Sequence, residues 1–202
     1  MPRPWRVLET RISFEDPYIR LRTDRCETES GHVLEGYHVV EYPDWLNTVA
    51  ITPALEIVLV KEYRHGAQAV ITGLPSGTVH PGEKPVAAAA RELSEETGYT
   101  SEELVDLGWA YANPATQNNR TWSFLAIDAQ LTSARNLDRS EDIDVELRPF
   151  RDFVSGDSQE PHALHLATIH LALKFVLTSR DPGLLDLRGA VIEAMTAPRF
   201  AG

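Results

Sequence analysis

Along the first half of the chain, apolar and polar positions alternate unevenly, and helical spacing appears only later. Residues 5–14 and 17–24 mix β-branched, aromatic and charged side chains around the turn-prone pair Asp16-Pro17. That pattern predicts two strands. His32–Tyr42 alternates after Ser30-Gly31 and predicts a third, ended by Pro43-Asp44. From Asn47 the chain is more apolar, and Val49-Ala50-Ile51 and Leu55–Val60 predict strands of a buried sheet. A loop rich in Gly, Pro and Thr is expected over 72–84. Pro85–Thr97, rich in Ala, Glu and Leu, predicts a helix of about three and a half turns that starts at proline and stops at Gly98. Leu104–Tyr111 and Thr121–Asp128 read as strands, 132–142 as a polar loop and Ile143–Leu147 as a strand. Two helices, 162–179 and 184–195, flank Asp181-Pro182-Gly183. This order, with the composition, predicts an α+β or an α/β/α layered domain with a mixed sheet, preceded by antiparallel N-terminal strands.

Composition narrows the partners. The chain has 202 residues, enough for one domain with a small extension. Lys plus Arg number 19 and Asp plus Glu 30, a net charge of −11. Such a chain has no general attraction to nucleic acid or anionic membranes, so neither is an expected partner. An anionic substrate would need local cations to hold it. The one cysteine, Cys26, excludes an internal disulfide and any zinc site built from several thiolates, and is read as a buried or half-buried free thiol. The opening residues lack the apolar run of a secretory signal, and no stretch approaches the roughly 20 apolar residues of a membrane span. The expectation is a cytoplasmic protein.

The chemistry is concentrated in Gly77–Gly98. At about 100° per residue, Glu92, Glu95 and Glu96 fall within an arc of about 100° on the helix. Val86, Ala89, Ala90 and Leu93 occupy the neighbouring arc, which is expected to face the core. Clustered carboxylates repel by about a few tenths of a kcal/mol per pair, and more when buried. A hard divalent cation such as Mg²⁺ removes that cost and leaves room for water and phosphate. The competing reading is a solvated acidic face in which Arg91 and Glu95 pair at i,i+4.

The spacing discriminates between these readings. Gly77, five residues, Glu83, seven residues, then Arg91-Glu92-Leu93-x-Glu95-Glu96-x-Gly98 resembles the Nudix box, G-x5-E-x7-R-E-U-x-E-E-x-G-U with U aliphatic. Chance agreement at the seven fixed positions is roughly one in a hundred million per starting position. Tyr99 stands at the last aliphatic position. The resemblance implies a Nudix fold and Mg²⁺- or Mn²⁺-dependent hydrolysis of a nucleoside diphosphate linked to another group. It implies that Glu92 and Glu96 bind metal, with Glu95 a further ligand or water-orienting group and Ser76 offering its backbone carbonyl. Glu83 and Arg91 would pair to pin the loop to the helix, with Gly77 and Gly98 as structural support.

Features outside the box resemble the ADP-ribose pyrophosphatase group, whose substrates are nucleoside diphosphate sugars. These are the N-terminal strands, Leu59–Arg64 ending in Tyr-Arg, Leu74-Pro75-Ser76-Gly77, and Pro114 sixteen residues after Gly98. The acidic loop Ser140-Glu141-Asp142 resembles the one that carries a catalytic glutamate. The resemblance therefore implies Glu141 as catalytic base with Glu95 as its rival, and Arg64, Asn113 and Pro114 as substrate-binding residues. For Arg64 a surface ion pair, and for Glu141 a solvated loop, are the structural alternatives. Residues 1–46 would be a dimerisation extension, implying a homodimer, and 47–202 the hydrolase domain. The group often has Glu where Gly73 stands, and Gly and Glu where Ala115 and Asn119 stand. The amide-rich stretch 113–120 suits a sugar or a base edge as well as a ribose.

Alternatives include a Nudix hydrolase acting on a dinucleotide, a coenzyme or a triphosphate, and a Nudix-fold module that binds without catalysis. His162 and His165 lack a third ligand in pattern. Their helix is expected to lie on the sheet through Leu166, Ile169 and Leu173. His80 precedes Glu83 in the loop. Trp5, Trp45, Trp109 and Trp122 are read as core or interface residues, with Trp45 and Tyr42 first for an interface.

Overall fold

The computed structural model describes residues 3–137, 142–155 and 162–196. It divides into two compact units, Met1–Trp45 with Ala110–Thr121, and Leu46–Trp109 with Trp122–Gly202.

The first unit holds an antiparallel sheet of β1 (Arg6–Glu15), β2 (Arg20–Glu27) and β3 (Val33–Glu41), in that order. The turn between β1 and β2 is longer than the sequence implies. The Asp16 carboxylate accepts the N–H groups of Tyr18 and Ile19, each at 2.8 Å. This local turn delays β2 to Arg20. Cys26, on β2, is buried. The segment 113–117 is tied to β3, because Val40 N–H donates to Thr116 O at 2.8 Å and the Tyr37 hydroxyl donates to Ala115 O.

The second unit is built on the mixed sheet predicted from the sequence. Its strands are β4 (Trp45–Ile51), β5 (Glu56–Arg64), β6 (Ala69–Gly73), β7 (Ser76–Thr78), β9 (Glu103–Tyr111), β10 (Arg120–Ile127) and β12 (Ile143–Pro149). The order is β12-β5-β4-β10-β9, with β6 paired to β5 and β7 to β4. A two-stranded pair, β8 (Tyr99–Thr100) and β11 (Gln130–Leu131), stands apart. The helices are α1 (Pro85–Thr97), α2 (Phe150–Ser155), α3 (Ala163–Thr178) and α4 (Leu185–Thr196).

Alternation along the strands creates two cores. Val49, Ile51, Ile57, Leu59 and Leu125 pack with Phe150, Phe153, Ile169, Ala172, Val176, Leu187 and Val191 of α2, α3 and α4. Their neighbours Ala50, Val58, Phe124 and Ala126 point the other way, among Leu93, Ala88 and Ala89 of α1. One sheet with apolar residues on both faces must be covered twice, and the α/β/α sandwich follows.

Several expectations are corrected. Of the loop expected over 72–84, residues 72 and 73 complete β6 and 76–78 form β7. Gly73 and Pro75 hide them in the sequence, while the apolar run Ala69-Val70-Ile71 pairs along β5 from Arg64 to Glu62. The short helix α2 is an addition to the expected elements; its Phe150 and Phe153 bury at i,i+3. The buried face of α1 is Ala88, Ala89, Glu92, Leu93, Glu96 and Thr97. Val86 and Ala90 are exposed instead, because the helix turns its glutamates, not its first valine, toward β7. Leu166 of α3 is exposed, whereas Ile169 packs as expected.

Candidate active site

The helix α1 starts without a side-chain cap, at Lys84, with Pro85 supplying the helical φ of its first turn. It ends where Gly98 takes a left-handed φ of 77° and its N–H returns to Ser94 O. A Cβ on Gly98 would also stand 2.4 Å from Ser133 O. Gly98 O in turn accepts N–H groups from Thr132 and Ser133 at 3.0 and 3.2 Å. Tyr99, the departure from the box, is half-buried against Ala50, Val58, Leu93 and Ala126. Its ring fills the site of an aliphatic side chain.

This frame carries the acidic residues. Glu92 and Glu96 are 9% and 4% exposed, on the side of α1 that faces β7. Ser76 N–H donates to the Glu96 carboxylate at 3.0 Å. The backbone of Gly77 passes so close to Glu92 that a side chain at 77 would have to displace the Glu92 carboxylate. Glu95 is more exposed, at the solvent margin of the same face.

Arg91 organises the cluster. Its guanidinium forks onto Glu83, Nε to Oε1 at 3.0 Å and Nη2 to Oε2 at 3.1 Å. Nη2 also reaches Thr78 O at 3.1 Å, and Nη1 donates to Glu92 at 2.8 Å and Glu95 at 3.1 Å. The Glu83 carboxylate also accepts the N–H of His80 at 3.0 Å. Hydrogen bonding from Arg91 first, then the His80 amide, holds the Glu83 carboxyl at about 2, against the opposing effect of burial. The guanidinium is raised above its ordinary value by the same partnership with Glu83. The loop from His80 to Glu83 is thereby clamped to the helix, and the largely exposed His80 side chain lies with its Nδ1 3.8 Å from the Glu83 carboxylate.

Arg64, at the end of β5, pairs with Glu62 two residues earlier on the same strand face and donates to Ser76 Oγ at 3.4 Å. Sequence reasoning misses Glu62, although its spacing from Arg64 is the signal for it. His165, set aside in the sequence for want of a third metal ligand, is almost fully buried. The Nδ1 of His165 accepts the Leu74 N–H at 3.1 Å, and its ring stacks on His162. Gly73, where the resembled group often has Glu, lies directly against this imidazole.

Asn113 and Pro114 belong to the first unit. Asn113 O closes a turn by accepting the N–H groups of Thr116 and Gln117 at 3.0 and 2.8 Å. Glu141 lies outside the described residues. Trp5 is exposed and meets Tyr37 edge-on at 5.7 Å. Trp109 and Trp122 pack at 6.2 Å in the second unit.

The donor set suits a hard cation. Two buried carboxylates at i,i+4, a third at the margin and backbone oxygens nearby are the ligands Mg²⁺ and Mn²⁺ take. Among the described residues no three His, Cys, Asp or Glu side chains converge as a preformed metal site. Two of the glutamates rest on the Arg91 guanidinium. No helix among the described residues is long and apolar enough to cross a membrane.

Known proteins share both parts of this arrangement. Residues 47–168 match the NUDIX domain, and residues 5–40 match the nucleoside diphosphate sugar hydrolase N-terminal domain. The chain is 33% identical over 133 residues to the ADP-ribose pyrophosphatase of Bacillus subtilis (strain 168), covering 65% of this chain and 71% of that protein. It is 32% identical over 99 residues to the methanol dehydrogenase activator of Bacillus methanolicus, covering 49% of this chain and 53% of that one. The crystal structure of an ADP compounds hydrolase shares the fold, with a TM-score of 0.75 at 20% identity over 87% of this chain and 96% of the other.

Proposed function

The chain belongs to the NUDIX family, and from that membership we propose that it hydrolyses the pyrophosphate bond of a nucleoside diphosphate linked to a sugar, ADP-ribose or a close relative, using Mg²⁺ or Mn²⁺. The products are a nucleoside monophosphate and a sugar phosphate. The observation that carries the reading is the buried pair Glu92 and Glu96 turned toward the backbone of Ser76 and Gly77. The N-terminal match and the ADP-ribose pyrophosphatase relative support the substrate class.

In this reading Glu92 and Glu96 hold the metal, with Glu95 and the Ser76 carbonyl as further ligands. A divalent cation bound there supplies Lewis acidity, offsetting pyrophosphate charge and lowering the pKa of a water. Water attacks one phosphorus, the bridging P–O bond breaks, and the electron pair leaves on the departing phosphate. Glu141 takes the proton of that water, with Glu95 as the rival base. Arg64 presents its planar fork to a phosphate, and its placement beside Ser76 supports that role. Asn113 and Pro114 are proposed as substrate-binding residues for a sugar or base edge.

Residues 1–46 are proposed as a dimerisation extension and 47–202 as the hydrolase domain. Support comes from β1, an edge strand with exposed Val7, Ile12 and Phe14. A cytoplasmic location is the accompanying proposal, in keeping with a lone free cysteine.

The test is monophosphate release with Mg²⁺ from ADP-ribose, ADP-glucose, GDP-mannose, UDP-glucose, NADH and a triphosphate, each with an EDTA control. Metal-dependent cleavage of ADP-ribose or one nucleotide sugar is expected. Turnover of the triphosphate or NADH alone would overturn the substrate class, and no turnover at all would favour the binding module.

A further inference from the structure

His165 and Gly73 approach too closely for residue 73 to carry any side chain. A Cβ on Gly73 would stand 2.4 Å from Nδ1 and 2.5 Å from Cε1 of His165. The imidazole thus occupies the space that a side chain on β6 would fill. Its Nδ1 accepts the Leu74 N–H at 3.1 Å, in a bond that is itself buried. A ring nitrogen that accepts carries no proton, so the proton sits on Nε2. The residue is 2% exposed and stacks on His162, with centroids 4.0 Å apart and planes at 23°. Burial above all, then His162 and Arg64, holds the imidazole down to about 3, so Nδ1 remains an acceptor at neutral pH.

The bond matters because the backbone beyond Leu74 leads directly to Ser76 and Gly77. Residues 74 and 75 join β6 to β7, so no named strand includes them. Each residue from 74 to 76 is tied to a different element. Leu74 N–H goes to His165 of α3, Pro75 O accepts Thr48 N–H of β4 at 2.9 Å, and Ser76 N–H goes to Glu96 of α1 at 3.0 Å. Pro75 has no N–H, so Leu74 supplies the donor nearest to Ser76 on its N-terminal side.

We propose that His165 is a positioning residue of the active site: its Nδ1 anchors the Leu74 amide and so sets the Ser76 backbone against Glu96. This rests on the reading of Glu92 and Glu96 as metal-binding residues. The residue touches neither substrate nor metal and acts through the connection between β6 and β7.

The experiment compares the full-length wild type with H165A and H165N, without nucleotide, at a temperature where each is folded by circular dichroism. Asparagine keeps an acceptor oxygen at similar reach to Nδ1. Amide exchange at Leu74 and Ser76 and Mn²⁺ affinity by calorimetry are measured. Exchange at both amides should rise about tenfold or more in H165A and return toward wild type in H165N. Mn²⁺ affinity should fall about tenfold or more in H165A and recover in H165N. A folded H165A with wild-type exchange at Ser76, or an H165N as impaired as H165A, would overturn the proposal. Should H165A fail to fold, nitrogen NMR of the wild-type imidazole and exchange in H165N decide. A protonated Nδ1, or an H165N that leaves Ser76 fast-exchanging, overturns the proposal, and an unprotonated Nδ1 with a protected Ser76 in H165N upholds it. A wild type that binds no Mn²⁺ sinks the metal reading alone, because the exchange rates still judge the anchor.

Discussion

The Glu92 carboxylate fills the volume that a side chain on residue 77 would need. A Cβ built on Gly77 lies 2.1 Å from Glu92 Cδ and 2.2 Å from Oε1. Glycine at 77 is thus a condition for the buried carboxylate, independent of any turn geometry. Gly77→Ala should displace Glu92 or push β7 off α1, at a stability cost of about 1–3 kcal/mol. Thermal unfolding and metal titration of the variant check this. Unchanged Mg²⁺ activation in a stably folded Gly77→Ala protein would separate Glu92 from the metal.

Glu92→Gln and Glu96→Gln should each lower metal-activated kcat by at least about 100-fold while leaving the fold intact. Each variant keeps the size of the side chain and removes one negative charge. Steady-state rates across a Mg²⁺ series, with circular dichroism as the folding control, provide the check.

Glu141→Gln is expected to lower kcat by about 10²–10⁴-fold, the contribution of a general base, and to remove the acid limb of the pH–rate profile. Glu95→Gln should keep that limb. If the limb survives in Glu141→Gln and vanishes in Glu95→Gln, the two roles exchange.

The Glu83–Arg91 clamp sets a pH window. The Glu83 carboxyl is lowered from its ordinary 4.5 to about 2 in the folded chain. A lowered carboxyl contributes stability that is complete above its unfolded value and is lost as pH falls through its folded value. The clamp should therefore hold at pH 5 and above and fail between about pH 4.5 and 2. Acid unfolding of wild type against Glu83→Gln tests this, because the variant should lack that part of the slope.

His165 has the opposite chemistry and the same sign. Its imidazole is lowered from 6.5 to about 3 in the folded chain, so below 6.5 the unfolded state binds the extra proton. Stability should fall with pH from about 6.5 downward, by at most about 1.4 kcal/mol per pH unit. His165→Asn should flatten the melting temperature between pH 6.5 and 4. A wild-type slope retained in the variant would assign it to another group.

The sequence alone was enough to locate α1 and to place Glu92, Glu95 and Glu96 on one arc, because helix periodicity is local and needs no partner. It also carried the Glu83–Arg91 pairing through the register of the box, and the two-faced sheet through the apolar runs at Val49–Ile51 and Leu55–Val60. Other features depend on which segment meets which. The sequence pointed to a core face of Val86, Ala89, Ala90 and Leu93, but the helix is turned so that Glu92 and Glu96 are buried and Val86 is exposed. Gly73 and Pro75 read as loop residues, yet β6 forms because β5 offers a free edge from Val60 to Arg64. His165 lies 91 residues from the amide it holds. Spacing along a chain reports neighbours three or four residues apart on a helix and two apart on a strand. It carries no signal for contacts that exist only after the sheet has drawn α3 and α1 to its opposite faces.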